Sequence, residues 1–147
     1  MNEIIVLPNI PRDQIIFKRF KYIYYSQLKS ALSYRCTEYR SDFKCPALLQ
    51  VSNDLQSIVS SMHEHNHTPL FPVEVDILVE IQRLKKMTGT SMEEIKRLYD
   101  SIYSNLDSKY GRISLNPFWK PWSTIRSTFH KIHQKNKGTC INFIMIY

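Results

Sequence analysis

Two hydrophobic periods divide the chain. In the first half, short runs rich in aromatic and aliphatic residues cover residues 22–25, 32–36, 47–51 and 57–60. Turn-prone stretches at 26–30, 38–44 and 52–54 separate them, which predicts strands joined into a small antiparallel sheet. After Pro69 the period becomes helical. Pro69 and Pro72 bracket Leu70-Phe71 as a linker, and Ile77, Leu78, Ile81 and Leu84 then share one helical face. Thr88-Gly89-Thr90 ends that helix. Ser91-Met92-Glu93-Glu94 reads as a capping box, in which the Ser hydroxyl and the Glu carboxylate close reciprocal backbone bonds. Behind it, Ile95, Leu98, Ile102 and Leu106 form a second amphipathic stripe that stops near Tyr110-Gly111. A third helix is predicted from Pro121, with Trp122, Ile125, Phe129 and Ile132 as its apolar side. The expected class is α+β: a sheet over residues 1–69, then a three-helix segment with a basic C-terminal tail over residues 70–147.

The sheet half holds the chemistry. Cys36 and Cys45 have eight residues between them, nineteen separate Cys45 from His65, and one separates His65 from His67. Two thiolates and two imidazoles satisfy tetrahedral zinc and leave no open position for a reaction. Helical fingers space their histidines three to five apart. An i, i+2 pair instead points two side chains to one side of a strand, so a bent strand or strand end should present His65 and His67. A disulfide between Cys36 and Cys45 is the rival reading. The odd total of three cysteines, and a start with Glu3 but no basic or long apolar stretch, favour a reducing intracellular setting instead. His63 lies on the same i, i+2 face and is a rival ligand. Cys140 has no such partner.

The sequence order closely resembles the FLYWCH-type zinc finger over residues 15–69. It runs from the Tyr-rich strand through Tyr34-Arg35-Cys36, Cys45, Pro46-Ala47-Leu48-Leu49 and Glu64-His65-Asn66-His67-Thr68-Pro69. The resemblance implies one structural zinc ion held by Cys36, Cys45, His65 and His67. It also implies a fold related to the four-stranded WRKY and GCM DNA-binding domains. Two departures stand out: Tyr34 replaces the family's usual Trp, and the glycines common in the first hairpin and near the second Cys are missing. The helical half, with Ser123-Thr124-Ile125-Arg126-Ser127, resembles the stretch after such fingers in relatives of Mutator-like (MULE) transposases.

Charge extends the picture. Net charge is +7, and residues 12–35 concentrate six basic residues against the single acid Asp13. Residues 111–147 hold six basic residues and no acid. Basic side chains interleaved with Phe17, Phe20, Tyr22, Tyr24 and Tyr25 suit phosphate contact, although a solvated basic sheet face would look the same. The resemblance favours double-stranded DNA as partner, docked by Lys18, Arg19, Lys21, Lys29 and Arg35, with Arg126, Lys131 and Lys135 adding backbone contacts. The alternative is a protein-interaction module that docks a partner through the sheet and a Trp119/Trp122 patch.

Enzymatic readings fare worse. No Asp or Glu follows Asp107, so the carboxylates a transposase needs for divalent cations are missing there. His65-Asn66-His67 lacks the dispersed residues of an HNH nuclease. Glu64, the one base beside the ligands, should point away from them on a strand. No apolar run is long enough to span a membrane, and nothing suggests a small-molecule substrate. The expected protein is a nuclear, non-enzymatic DNA-binding module, truncated or domesticated from a transposase.

Overall fold

The computed structural model describes residues 3–8, 12–87 and 89–141. Two compact units, Met1–Val75 and Asp76–Tyr147, divide the chain within its first helix.

The first unit is a six-stranded antiparallel meander: β1 (Ile5–Leu7), β2 (Gln14–Phe17), β3 (Phe20–Gln27), β4 (Leu32–Cys36), β5 (Leu48–Val51) and β6 (Ile58–Met62). A 3-10 turn at Thr37–Tyr39 follows β4. The four strands expected from the pattern are β3 to β6, and β1 and β2 extend the sheet on the β3 side. Alternation sorts the faces. Ile15, Phe17, Tyr22, Leu32, Tyr34, Cys36, Leu49 and Val51 form one core, to which Cys45 and Ala47 add from the approach to β5. The register Ile15↔Tyr22↔Cys36 lines these residues up across three strands. Lys21, Ile23 and Arg35 fall on the opposite face. Tyr34, in the place of the family's Trp, is 2% exposed and meets Tyr24 edge-on at 6.0 Å, so it fills the core position.

The β2–β3 turn lacks the glycine such hairpins prefer. Lys18 and Arg19 adopt φ of 50° and 63°, the pair of positive angles that marks a type I′ turn. Arg19 also ties this turn to the chain beyond the histidines. Its carbonyl accepts from Leu70 N at 2.8 Å, and its guanidinium donates to Leu70 O at 3.1 Å.

The second unit is helical: α1 (Pro72–Lys85), α2 (Met92–Tyr110), α3 (Arg112–Leu115) and α4 (Trp122–Ile141). The one-turn α3 is an addition to the three expected helices. Gly111, at φ 81°, ends α2 and starts α3. Ile81, Leu84, Ile95, Tyr99 and Phe129 form the core, flanked by Ile77, Leu98, Ile102 and Ile125 from the predicted stripes. Trp119 and Trp122 pack on Tyr99 at 4.5 and 5.2 Å between ring centroids. Trp119 and Trp122, the expected docking patch, are half-buried and pack against the helical core. Half of the capping box forms. Glu94 N donates to Ser91 Oγ at 3.2 Å, while the Glu94 carboxylate pairs with Arg97 at 3.2 Å. Among the described residues no helix is long and apolar enough to cross a membrane. Residues 142–147, the apolar end of the expected basic tail, lie outside the described residues.

Candidate metal centre

Three local devices deliver the four ligands. Cys36 closes β4, and its backbone N–H donates to Ala47 O at 3.1 Å. Cys45 ends a tight loop in which Lys44 takes φ 48° and Cys45 N donates to Glu38 O at 3.2 Å. His65 and His67 lie in an irregular segment beyond β6, not on a strand. His63, at φ 63°, terminates the strand pattern at Met62 and turns the chain back across the sheet end. The i, i+2 spacing still places both rings on one side. His63 is exposed and stands outside the cluster.

The ligand atoms of Cys36, Cys45, His65 and His67 all lie within 4.8 Å of one another. Cys36 Sγ is 3.1 Å from His67 Nε2, Cys45 Sγ is 3.4 Å from His65 Nδ1, and the two imidazole nitrogens are 3.3 Å apart. A zinc tetrahedron with ordinary bond lengths has S···N edges of about 3.5 Å and N···N edges of about 3.3 Å. Three of the six edges match within a few tenths of an ångström and no pair exceeds 4.8 Å, so the four residues are positioned to bind one metal ion. The sulfur-nitrogen donor set selects zinc over hard cations. Neither cysteine is in a disulfide.

The surroundings agree with one ligating nitrogen on each histidine. Tyr22 Oη is 2.7 Å from His65 Nε2, and Thr68 O is 3.0 Å from His67 Nδ1. With those ring nitrogens protonated and donating outward, His65 Nδ1 and His67 Nε2 remain free lone pairs facing the thiols. Phe20 stacks on His65 at 3.6 Å with an interplanar angle of 3°, and meets His67 edge-on at 5.3 Å. Asn66, pointing away from the centre, donates to Phe43 O and so ties the histidine segment to the Cys45 loop. Tyr22, Phe20 and Asn66 are functional positions beyond the four ligands. Only strand alternation hints at them: Tyr22 lies on the inward side of β3, opposite Cys36.

Electrostatics explain why a cation belongs here. Burial pushes the Cys36 thiol up to about 12, against the opposing pull of the Glu38 backbone N–H. Burial, with the neighbouring His67, pulls His65 down to about 4. The bare pocket therefore favours neutral groups. A divalent cation offsets two thiolates and meets a His65 imidazole already in its ligating form, giving an uncharged centre.

The expected nucleic-acid residues fall in both units. Lys18 is exposed in the β2–β3 turn, Arg19 is engaged with Leu70, and Lys21 lies on the outer face of β3. Lys29 is exposed at the far end of β3, roughly 24 Å from the turn at 3.4 Å per residue. Arg35 is stacked between Tyr25 and Tyr39. On α4, Lys131 and Lys135 share one face, but Arg126 lies about 180° around the axis from Lys135 at 100° per residue. These three cations therefore do not form one stripe.

Residues 7–67 match the family model of the FLYWCH zinc finger domain, a stretch that takes in β2 and ends on the last ligand, His67. No curated protein matches the chain.

Proposed function

We propose that the chain is a zinc-dependent DNA-binding module that works in the nucleus and derives from the DNA-recognition end of a Mutator-like transposase. The observation that carries the reading is the outer face of the sheet. There Lys21 and Arg35 stand with Tyr25 on strands whose inner face ends in the metal centre. Zinc would be structural: four protein ligands complete its coordination and leave no site for water or substrate, which is why we assign no enzymatic role. Phosphate contacts by Lys18, Lys21, Lys29 and Arg35 would supply affinity and register. The helical cations Lys131 and Lys135 would add a second contact.

A protein-interaction role is favoured by one feature. The edge strand β6 carries no charge and exposes Val59 (56%) and Met62 (38%). Salt dependence separates the readings. Affinity for duplex DNA should fall steeply and log-linearly with salt. Lys18→Gln/Lys21→Gln/Lys29→Gln should flatten that slope by about 0.9 for each phosphate no longer neutralised, with zinc content unchanged. Salt-independent binding, or an unchanged slope in both this variant and Arg126→Gln/Lys131→Gln/Lys135→Gln, would overturn the DNA reading.

A further inference from the structure

Arg35 occupies an unusual setting on the outer face of the sheet. It precedes the ligand Cys36, pairs with Ile23 and Leu48 across the ladder, and so has a backbone fixed on three sides. Its guanidinium carbon lies 4.0 Å from the Tyr25 ring centroid and 4.6 Å from that of Tyr39. The Tyr39 ring also carries Arg40, at 5.0 Å. Among the described residues neither guanidinium makes an ion pair or a hydrogen bond, although both have donors to offer. Two arginines are thus held on tyrosine rings while their N–H groups lack acceptors among the described residues.

A ring packed on a guanidinium occupies a face and leaves the N–H edge open. That edge is a rigid fork matched to two oxygens of one phosphate. Ordering a long side chain before the ligand arrives also removes a cost of binding. We propose that Tyr25, Arg35, Tyr39 and Arg40 form a phosphate clamp, in which the tyrosine rings hold Arg35 flat for two-pronged contact with the backbone of duplex DNA. This rests on the DNA-binding reading above and adds Tyr25, Tyr39 and Arg40 to it. Both cations sit on the Tyr39 ring, so they are at most roughly 10 Å apart, close enough to serve neighbouring phosphates of one strand. The clamp holds the backbone and does not read bases, so it should act alike on unrelated sequences.

The test uses the full, zinc-loaded chain and two duplexes of unrelated sequence, with affinity measured over a salt series. Arg35→Lys keeps the charge but loses the planar fork. Tyr25→Leu/Tyr39→Leu keeps every charge but loses the brackets. Each should weaken binding about five- to tenfold on both duplexes with the salt slope unchanged. Arg40→Gln, at an exposed position, should lower the slope by about 0.9. Zinc content should stay at one per chain in all three. Wild-type affinity in Arg35→Lys and in Tyr25→Leu/Tyr39→Leu would refute the clamp while DNA binding stands. A loss confined to one duplex would mean base reading and would refute it too. Failure of the wild type to bind either duplex would remove the DNA reading and the clamp with it.

Discussion

Tyr22→Phe should weaken zinc binding without disturbing the sheet. The hydroxyl is the sole polar atom removed. The ring stays in the core at 3% exposure, so no cavity forms. What disappears is the 2.7 Å bond to His65 Nε2. With zinc on Nδ1, that nitrogen carries the proton, and in the variant it is left donating to nothing in a part-buried site. Stranding such a donor costs about 1–3 kcal/mol. The loss of an outer partner to a metal-bound histidine typically costs about 10–100-fold in affinity, or about 1.4–2.7 kcal/mol, so the two estimates agree. Competition against a chromophoric zinc chelator at neutral pH reads the change directly. Tyr24→Phe is the matched control, because Tyr24 packs beside the same core with no hydrogen bond from its hydroxyl among the described residues. If Tyr22→Phe binds zinc as tightly as Tyr24→Phe, the Tyr22–His65 bond does not orient the ligand and the assigned tautomer is wrong.

Cys45→Ser should lose zinc and the near-UV signal of the sheet unit while the far-UV helical signal persists, whereas His63→Ala should retain its metal; collapse of both signals together would show that the two units share their stability. Lys18→Asn should raise the melting temperature of the zinc-loaded protein by relieving positive φ in a side chain that dislikes it, a gain of up to about 1 kcal/mol. An unchanged or lowered melting temperature would count against that strain. In the helical unit, burial pushes the Asp76 carboxyl up, but hydrogen bonds from Lys109 and Tyr110 and the Lys109 charge outweigh it, so its pKa lies below the ordinary 3.8. A depressed carboxylate contributes stability above its unfolded pKa and loses it as pH falls. The helical unit should therefore lose stability as pH falls below the ordinary carboxylate value of 3.8, and Asp76→Asn should remove that part of the decline. Thermal melts followed at 222 nm would show it, and an identical acid profile in the variant would refute the assignment.

The ligands and the helices were legible because each leaves a local trace. Four metal donors in order need no knowledge of the fold, and Ile95, Leu98, Ile102 and Phe129 announce their faces by spacing alone. β1 and β2 were not legible, because Ile5-Val6-Leu7 and Ile15-Ile16-Phe17 are continuous apolar runs. Ile15 and Ile16 are both buried, at 0% and 1%, so no alternation marks them as strands. The Lys18-Arg19 turn carries none of the residues that advertise positive φ. The histidine segment was half legible: spacing indicated a shared side, but a left-handed His63 is invisible until the chain is traced. Tyr22 escaped notice because its role depends on the register Tyr22↔Cys36, a relation between strands that no single stretch encodes.

The order of the ligands along the chain has a mechanical meaning. β5 and β6 lie wholly between Cys45 and His65, and His67 stands beside Cys36. With zinc bound, tension arriving from the helical side would meet the Leu70–Arg19 bonds first and then the metal centre. It would pass from His67 into β4 without pulling on the hairpin enclosed by the coordination loop. β6, the exposed edge that would otherwise peel first, carries no load. A strand edge held out of the force path in this way would let the finger stay folded on a partner that is bent, twisted or dragged.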